Sequence, residues 1–420
     1  MHRDPTSGKV KFLPLGRWRG TLQQEDLPVK YIALSEHLDM VGFQLKATST
    51  QTRKINCDTL QDKVSKVIGP WRGGKFMCLT LRPFSLNTYC LSKVWFKCGS
   101  VDLRAGDISK ITSTIKSWLF ADQLEQPEEM VLHRNRCSGG LGLYNIKYKA
   151  MAEFIRSFLE TAIHPRFTTN QYHNALYRWN VLSDRSIRAP SMCPYMSEEI
   201  FTNIKQVKDE GLLNIATLSS GQWYRVLIEN NITMVTNDDG RRSLKLCRAE
   251  TNHPEVNWEA TWRLSSLKGL SSEDHSFLWK MLHNLLPTQE RINRVGLPNA
   301  PTPMCTHCDM QEPDQVHHAL VTCPQNKEVS DWLLHQIHPY LPNISPQQLV
   351  LLHLGVLQGD QELPLVWLIT QVLRNNWTQR LLKKKPQLFQ TRAVLEAGIA
   401  IMRKTRFSDS CTMIETILVS

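Results

Sequence analysis

Hydrophobic positions along this chain change period twice. Near the front, Val41-Gly-Phe43-Gln-Leu45 alternates apolar with small or polar residues, the two-residue period of a half-buried strand. Phe12-Leu13-Pro14-Leu15 and Val29-Lys-Tyr-Ile-Ala33 are two more short strand candidates. From about residue 56 the spacing becomes helical. Leu60, Val64, Val67 and Ile68 form one face behind a cap at Asp58. Ile108, Ile111, Ile115 and Trp118 form another behind Asp107, and Met151, Phe154, Ile155, Phe158 and Leu159 a third. Ser138-Gly-Gly-Leu-Gly-Leu143 breaks the helical pattern as a glycine-rich turn. It is not a dinucleotide fingerprint, because the G-x-G-x-x-G spacing fails at Asn145.

Residues 164–256 carry Pro190, Pro194, Pro254 and the turn-forming Asn237-Asp-Asp-Gly240, with one helix expected around Trp223 to Ile228. They read as a connector. Helical order then sharpens. A helix capped by Ser272 aligns Phe277, Leu278, Met281, Leu282, Leu285 and Leu286 until Pro287 stops it. Thr288 caps a shorter helix that ends at Gly296, where a left-handed C-cap suits glycine. Beyond residue 327 three or four helices follow. One opens at Ser345-Pro346 with Gln348 completing a capping box, and a long one over 364–384 stacks Leu365, Leu368, Val372, Trp377 and Leu381. The fold class expected is mainly α with a small N-terminal β-strand group, α+β. Its divisions are 1–46, 47–165, 166–256, 257–326 and 327–420.

Composition adds a partner class. The 420 residues are 41% hydrophobic, enough for packed cores, and the formal charge of +11 favours a polyanion. Between 363 and 407, nine basic residues face one acid, Glu396: Arg374, Arg380, Lys383, Lys384, Lys385, Arg392, Arg403, Lys404 and Arg406. Localised charge is what a phosphate-tracking surface needs, so Arg374, Arg380, Lys383, Lys384, Lys385, Arg403, Lys404 and Arg406 are the candidate nucleic-acid contacts. The competing reading is a solvated helix end, where cations complement the dipole. No apolar run reaches the roughly 18 residues that span a bilayer, and residues 1–9 lack the apolar core of a signal peptide. The expectation is an intracellular protein, nuclear or cytoplasmic, with no membrane partner.

Seven scattered cysteines (Cys57, Cys78, Cys90, Cys98, Cys137, Cys193, Cys247) read as small buried thiols in a reducing compartment. Cys305, Cys308 and Cys323 differ. Cys305-Thr-His-Cys308 is a C-x2-C pair, His318 follows after nine residues, and Cys323 after four more. Such a turn aims two thiolates at one point, and a short helix opened by Pro313-Asp314 supplies the other two corners. Three thiolates and one imidazole suit zinc by softness and tetrahedral geometry. His317 and His307 are rival ligands. Four protein ligands leave no open coordination position, so the ion expected is structural Zn²⁺.

Several of these segments resemble LINE-type non-LTR retrotransposon reverse transcriptases. Lys9-Val-Lys-Phe-Leu-Pro-Leu-Gly-Arg-Trp18 is similar to a late palm segment and Val41-Gly-Phe-Gln-Leu45 to the last palm strand. Leu91-Ser-Lys-Val-Trp-Phe96 is similar to the helix after the palm, and Gly139-Gly-Leu-Gly142 to the GGLG turn. Leu278-Trp-Lys-Met-Leu-His-Asn-Leu-Leu286, followed by Cys305, Cys308, His318 and Cys323-Pro324, is similar to the C-terminal zinc-binding segment. The resemblance implies a palm remnant at 1–46, a thumb-like helical region at 47–165, a connector, a zinc knuckle-like segment at 257–326 and a basic helical tail. It also implies a parent activity of RNA-directed DNA polymerase in target-primed reverse transcription, with RNA or DNA as partner.

This chain departs from the family at the chemistry. Two magnesium ions there rest on an aromatic-x-Asp-Asp hairpin. The nearest look-alike, Phe120-Ala-Asp-Gln123, has Gln123 in place of the second aspartate and follows a helix. No catalytic residues and no Mg²⁺ are therefore expected here. Pro313-Asp314 is not a nuclease site either, since no D-x-K or E-x-K follows it. The chain then reads as a nucleic-acid-binding C-terminal fragment, its other partners the remaining polymerase portion or a host protein. The alternative is a host-retained, zinc-containing adaptor for protein interaction.

Overall fold

A computed structural model describes residues 11–12, 30–31, 37–40, 43–46, 48–71, 77–98, 103–120, 126–163, 218–236, 242–297, 300, 302–355, 357, 359–404 and 408–419. It is mostly helical with small strand pairs, as the periodicities predict, and forms two compact units.

The first unit takes in residues 1–73, 85–118 and 144–231. Strands β1 (Lys11–Phe12) and β2 (Lys30–Tyr31) pair in parallel. Strands β3 (Leu38–Met40) and β4 (Phe43–Leu45) pair antiparallel, with Leu38 opposite Leu45. The expected strand at 43–45 thus exists, and its partner β3 carried no pattern strong enough to mark it.

Helix α1 spans Ser49–Ile68 and begins nine residues before the expected cap. The Thr48 side chain accepts from the Gln51 amide, so Asp58 is an interior helical residue, not an N-cap. Leu60, Val64 and Ile68 are buried as predicted. On the buried face of α1, Asn56 accepts from the Gln44 amide and from the Lys97 ammonium at 3.1 Å each. Helices α2 (Ser92–Cys98) and α3 (Ala105–Leu119) follow, and Arg53 Nη1 reaches Asp107 Oδ2 at 2.7 Å to tie α1 to α3. Helix α4 (Ile146–Ile163) packs on α5 (Ser220–Ile228), where Ser219 and Gln222 form a capping box. The side chains of Phe158 and Leu159, and all of 164–217, lie outside the described residues.

The second unit takes in residues 74–84, 119–143 and 232–420. Strands β5 (Met234–Thr236) and β6 (Arg242–Leu244) pair antiparallel, and the turn expected at Asn237–Gly240 lies outside the described residues. Helices α6 (Arg248–Asn252) and α7 (Trp258–Ser265) come next. Helix α8 runs Ser272–Leu282, capped by Ser271 with Asp274 completing a capping box, one residue earlier than expected. It stops at Leu282, where Asn284 turns left-handed (φ 52°), before Pro287 can act. Helix α9 (Gln289–Arg294) has the expected Thr288 cap, and Gly296 sits at φ 76°.

Around the glycine-rich turn, the Gly139 carbonyl accepts from Trp279 Nε1 at 2.9 Å and His283 Nε2 at 2.7 Å. Arg134, one turn before, is buried against Glu250. Its Nη1 lies 2.9 Å from Oε1 and 3.0 Å from Oε2. Glu250 also accepts from Trp262 Nε1 at 2.9 Å and the Cys247 amide at 2.7 Å.

Five helices rather than three or four occupy the described part of 327–420: α10 (Lys327–Ile337), α11 (Pro346–Val350), α12 (Gly359–Leu381), α13 (Leu388–Arg403) and α14 (Ser408–Val419). Helix α12 is buried nearly all round, the mark of a core helix. Leu365, Leu368, Val372 and Trp377 are buried as expected, whereas Leu381, on its last turn, is 61% exposed. Its buried amides each find a partner on a different element. Gln371 Nε2 donates to Asp274, Asn375 Nδ2 to Thr391 Oγ1 and Asn376 Nδ2 to the Leu320 carbonyl, each at 2.9 Å.

No described helix is long and apolar enough to cross a membrane. Among the other cysteines, Cys57, Cys90, Cys98 and Cys247 are buried, Cys78 is half-buried and Cys137 is exposed, contrary to expectation. Cys193 lies outside the described residues.

Candidate metal centre

Cys305 and Cys308 sit on a tight hairpin. The Cys305 amide donates to Glu312 O at 2.8 Å, the Asp314 amide to Pro303 O at 2.9 Å, and Met304 bridges Pro313. Gln311 takes the left-handed conformation (φ 49°) that turns the hairpin back. Inside the loop the His307 amide points at Cys305 Sγ, 3.4 Å away, so the backbone wraps the first thiolate.

His318 and Cys323 come from a π-helical turn, His318–Thr322, that starts after Val316 rather than at Pro313-Asp314. The Cys323 amide closes on the His318 carbonyl five residues back at 2.9 Å. This wider turn brings residue i+5 over residue i, which an α-helix would not do. Cys323 is thereby placed beside His318, and Asn326 Nδ2 holds the turn through Ala319 O at 2.9 Å.

The four ligand atoms of Cys305, Cys308, His318 and Cys323 lie within 4.8 Å of one another. His318 Nδ1 is 2.9 Å from Glu312 Oε2 and Nε2 is 3.5 Å from Cys308 Sγ. The carboxylate fixes the proton on Nδ1, leaving the Nε2 lone pair aimed into the cluster. With Zn–S of about 2.3 Å and Zn–N of about 2.05 Å, a tetrahedral S···N edge is about 3.6 Å, matching that separation. Donor chemistry, tautomer and spacing all fit zinc. His317 instead lines a separate cavity of about 500 Å³, with Met281, Leu282 and Val350. Among the described residues no metal-holding cluster contains His317 or His307.

Electrostatics divide the three thiols. Burial pushes Cys305 upward, yet hydrogen bonds from Arg380 and the His307 amide more than offset it, and the thiol falls to about 7. Burial holds Cys323 up at about 12 and raises Cys308 as well. One thiolate is therefore prepared by the protein, and a bound cation would have to draw off the other two protons.

The basic residues are scattered in role. Arg380 is buried, ion-paired with Asp314 and 3.3 Å from Cys305 Sγ, so it is no surface cation. Arg374 is about one-third exposed and bonded to Asp274 Oδ1 at 2.6 Å. Arg403 is exposed and paired with Glu415, while Lys383, Lys384, Lys385 and Lys404 are exposed. Arg406 lies outside the described residues.

No curated protein matches the chain. Residues 244–329 match the family described as zinc-binding in reverse transcriptase, and all four clustered ligands fall inside that stretch. This part of the chain is a reverse-transcriptase-related zinc region.

Proposed function

We propose that the chain is a nucleic-acid-binding, zinc-stabilised C-terminal portion of a LINE-type reverse transcriptase. The observation that carries this reading is the Cys305–Cys308–His318–Cys323 cluster inside the reverse-transcriptase match. Zinc there is structural. It would be held by three thiolates and the His318 imidazole, and its chemistry is to cross-link the hairpin to the π-turn. Residues 1–46 and 47–165 correspond to late palm and thumb-like regions, and the polymerase carboxylates belong to a part of the family not represented in these residues.

Nucleic acid is gripped by the basic end of the second unit. Lys383, Lys384 and Lys385 follow α12 at a turn where Lys383 is left-handed (φ 53°), and Arg403 and Lys404 close α13. Five phosphate contacts to a single strand give a log–log salt slope of about −3.5, or roughly a 100-fold loss of affinity between about 50 and 200 mM salt. Fluorescence anisotropy of a labelled RNA oligonucleotide measures this. Replacing all three lysines by glutamine should flatten the slope by about 2, and salt-independent binding refutes the assignment.

A second reading is favoured by one observation. Leu381, Leu382, Phe389 and Ile401 expose 57–69% of their surface beside these cations. A host-retained adaptor would use that apolar surface to grip a protein. Nuclease treatment that leaves captured partners in place supports this alternative over the first.

A further inference from the structure

The geometry points to Arg380 as a positioning residue of the zinc centre: from outside the matched zinc region, it holds the Cys305 sulfur in place from the core helix α12. This rests on the zinc reading above and assigns a residue that the matched segment, ending at 329, does not contain.

Three observations converge. Arg380 is 7% exposed and its Nη2 is 3.3 Å from Cys305 Sγ. The same guanidinium is ion-paired with Asp314, itself 1% exposed, whose other oxygen accepts from the Gln289 amide at 2.7 Å. One helical turn earlier, Asn376 donates to Leu320 O on the π-turn. Two residues four apart on α12 thus seize both halves of the zinc segment, Arg380 the hairpin and Asn376 the π-turn.

Charge explains why an arginine stands there. Three thiolates and one imidazole around a divalent cation carry a net charge of −1, and Glu312 on His318 adds another. A buried site of that sign needs a cation with donors left over. Both contacts come from Nη2, whose two N–H groups diverge in the guanidinium plane, so one can satisfy Asp314 while the other points at sulfur. Lysine, a point charge on a flexible stem, cannot hold both directions as rigidly. Asp314 in turn fixes the guanidinium plane and caps α9, so the hairpin, α9 and α12 meet at one ionic contact.

Outer partners of this kind change metal affinity by roughly 10–100-fold. They also alter the ligand. A hydrogen bond to a thiolate stabilises its filled sulfur orbitals, so charge transfer from sulfur to a bound metal moves to higher energy. Loss of the bond moves that band to longer wavelength.

The test uses the full chain with cobalt and zinc. Wild-type protein is titrated with Co²⁺, then zinc affinity is measured by competition with a chromophoric chelator. Arg380→Met should raise the zinc Kd roughly 10–100-fold and shift the cobalt charge-transfer band to longer wavelength, with Arg380→Lys between the two. An unchanged Kd and band in folded Arg380→Met overturns the inference. Should that variant fail to fold, Arg380→Lys, which keeps the charge for Asp314, decides by the same two readouts. Wild-type chain that takes up neither metal overturns the zinc reading itself, whereas metal uptake indifferent to residue 380 overturns only the role of Arg380.

Discussion

Alanine at Gly140 should unfold the second unit far more readily than alanine at Gly142, although both glycines belong to the same turn. A methyl group on Gly140 would land on the Arg134 carbonyl, well inside the 3.0 Å that real Cβ atoms keep. The obstruction is backbone, so no side chain can rotate away. Nor can the Arg134 peptide move freely: its carbonyl accepts from the Gly142 amide at 2.9 Å, and its side chain is locked on Glu250. Overpacking costs about 1–3 kcal/mol, and a lost backbone hydrogen bond adds about 1. Strain on a buried ion pair can bring the total to about 4–6 kcal/mol, since a broken one costs about 3–5 by itself. At Gly142 the methyl meets nothing within 4 Å, and only the positive φ of 68° is penalised, at about 1–2 kcal/mol. Urea denaturation followed by tryptophan fluorescence compares the two midpoints. Equal midpoints, or a smaller loss for Gly140→Ala than for Gly142→Ala, would refute the reasoning.

Further outcomes follow from the same unit. Glu250→Gln keeps the shape but strips the charge from a carboxylate receiving four hydrogen bonds, and should cost about 3–5 kcal/mol in the same urea assay. His283 lies between Trp262 and Trp279, at centroid separations of 4.9 and 4.7 Å, and burial there pushes it down to about 4. Its folded value is below its ordinary 6.5, so the unfolded chain binds the extra proton between those two values. Stability should therefore rise with pH from about 4 to 6.5 and level off above, by at most about 3 kcal/mol, and His283→Gln should remove that rise. Chelation by EDTA should abolish hydrogen-exchange protection at the Cys305 and Cys323 amides, because zinc binding is folding energy for such segments; unchanged protection contradicts it.

What could be read from the sequence was local. Thr288 and Gly296 bracket α9, and Ser345 with Gln348 opens α11, because a cap is decided by residues within four positions. The two C-x2-C thiols were legible because that spacing brings them together, whereas it is the π-turn that puts His318 rather than His317 in the cluster. Where competing local signals coexist, pattern alone does not decide. Asp58 and Thr48 can each start a helix; the earlier start is the one that buries Asn56 with its bonds to Gln44 and Lys97. The π-turn at His318 has no composition of its own. Arg374 and Arg380 read as surface charge because their acidic partners, Asp274 and Asp314, lie 100 and 66 positions away in the chain. Leu381 fits an apolar stripe by phase but sits where α12 runs out, and 61% of its surface is exposed.

X-ray absorption at the zinc edge examines the metal centre most directly. Protein purified with zinc should show one ion per chain bound by three sulfurs at about 2.3 Å and one nitrogen at about 2.0 Å. A shell dominated by oxygen or nitrogen, or zinc retained undiminished after Cys305→Ser and Cys323→Ser, would contradict it.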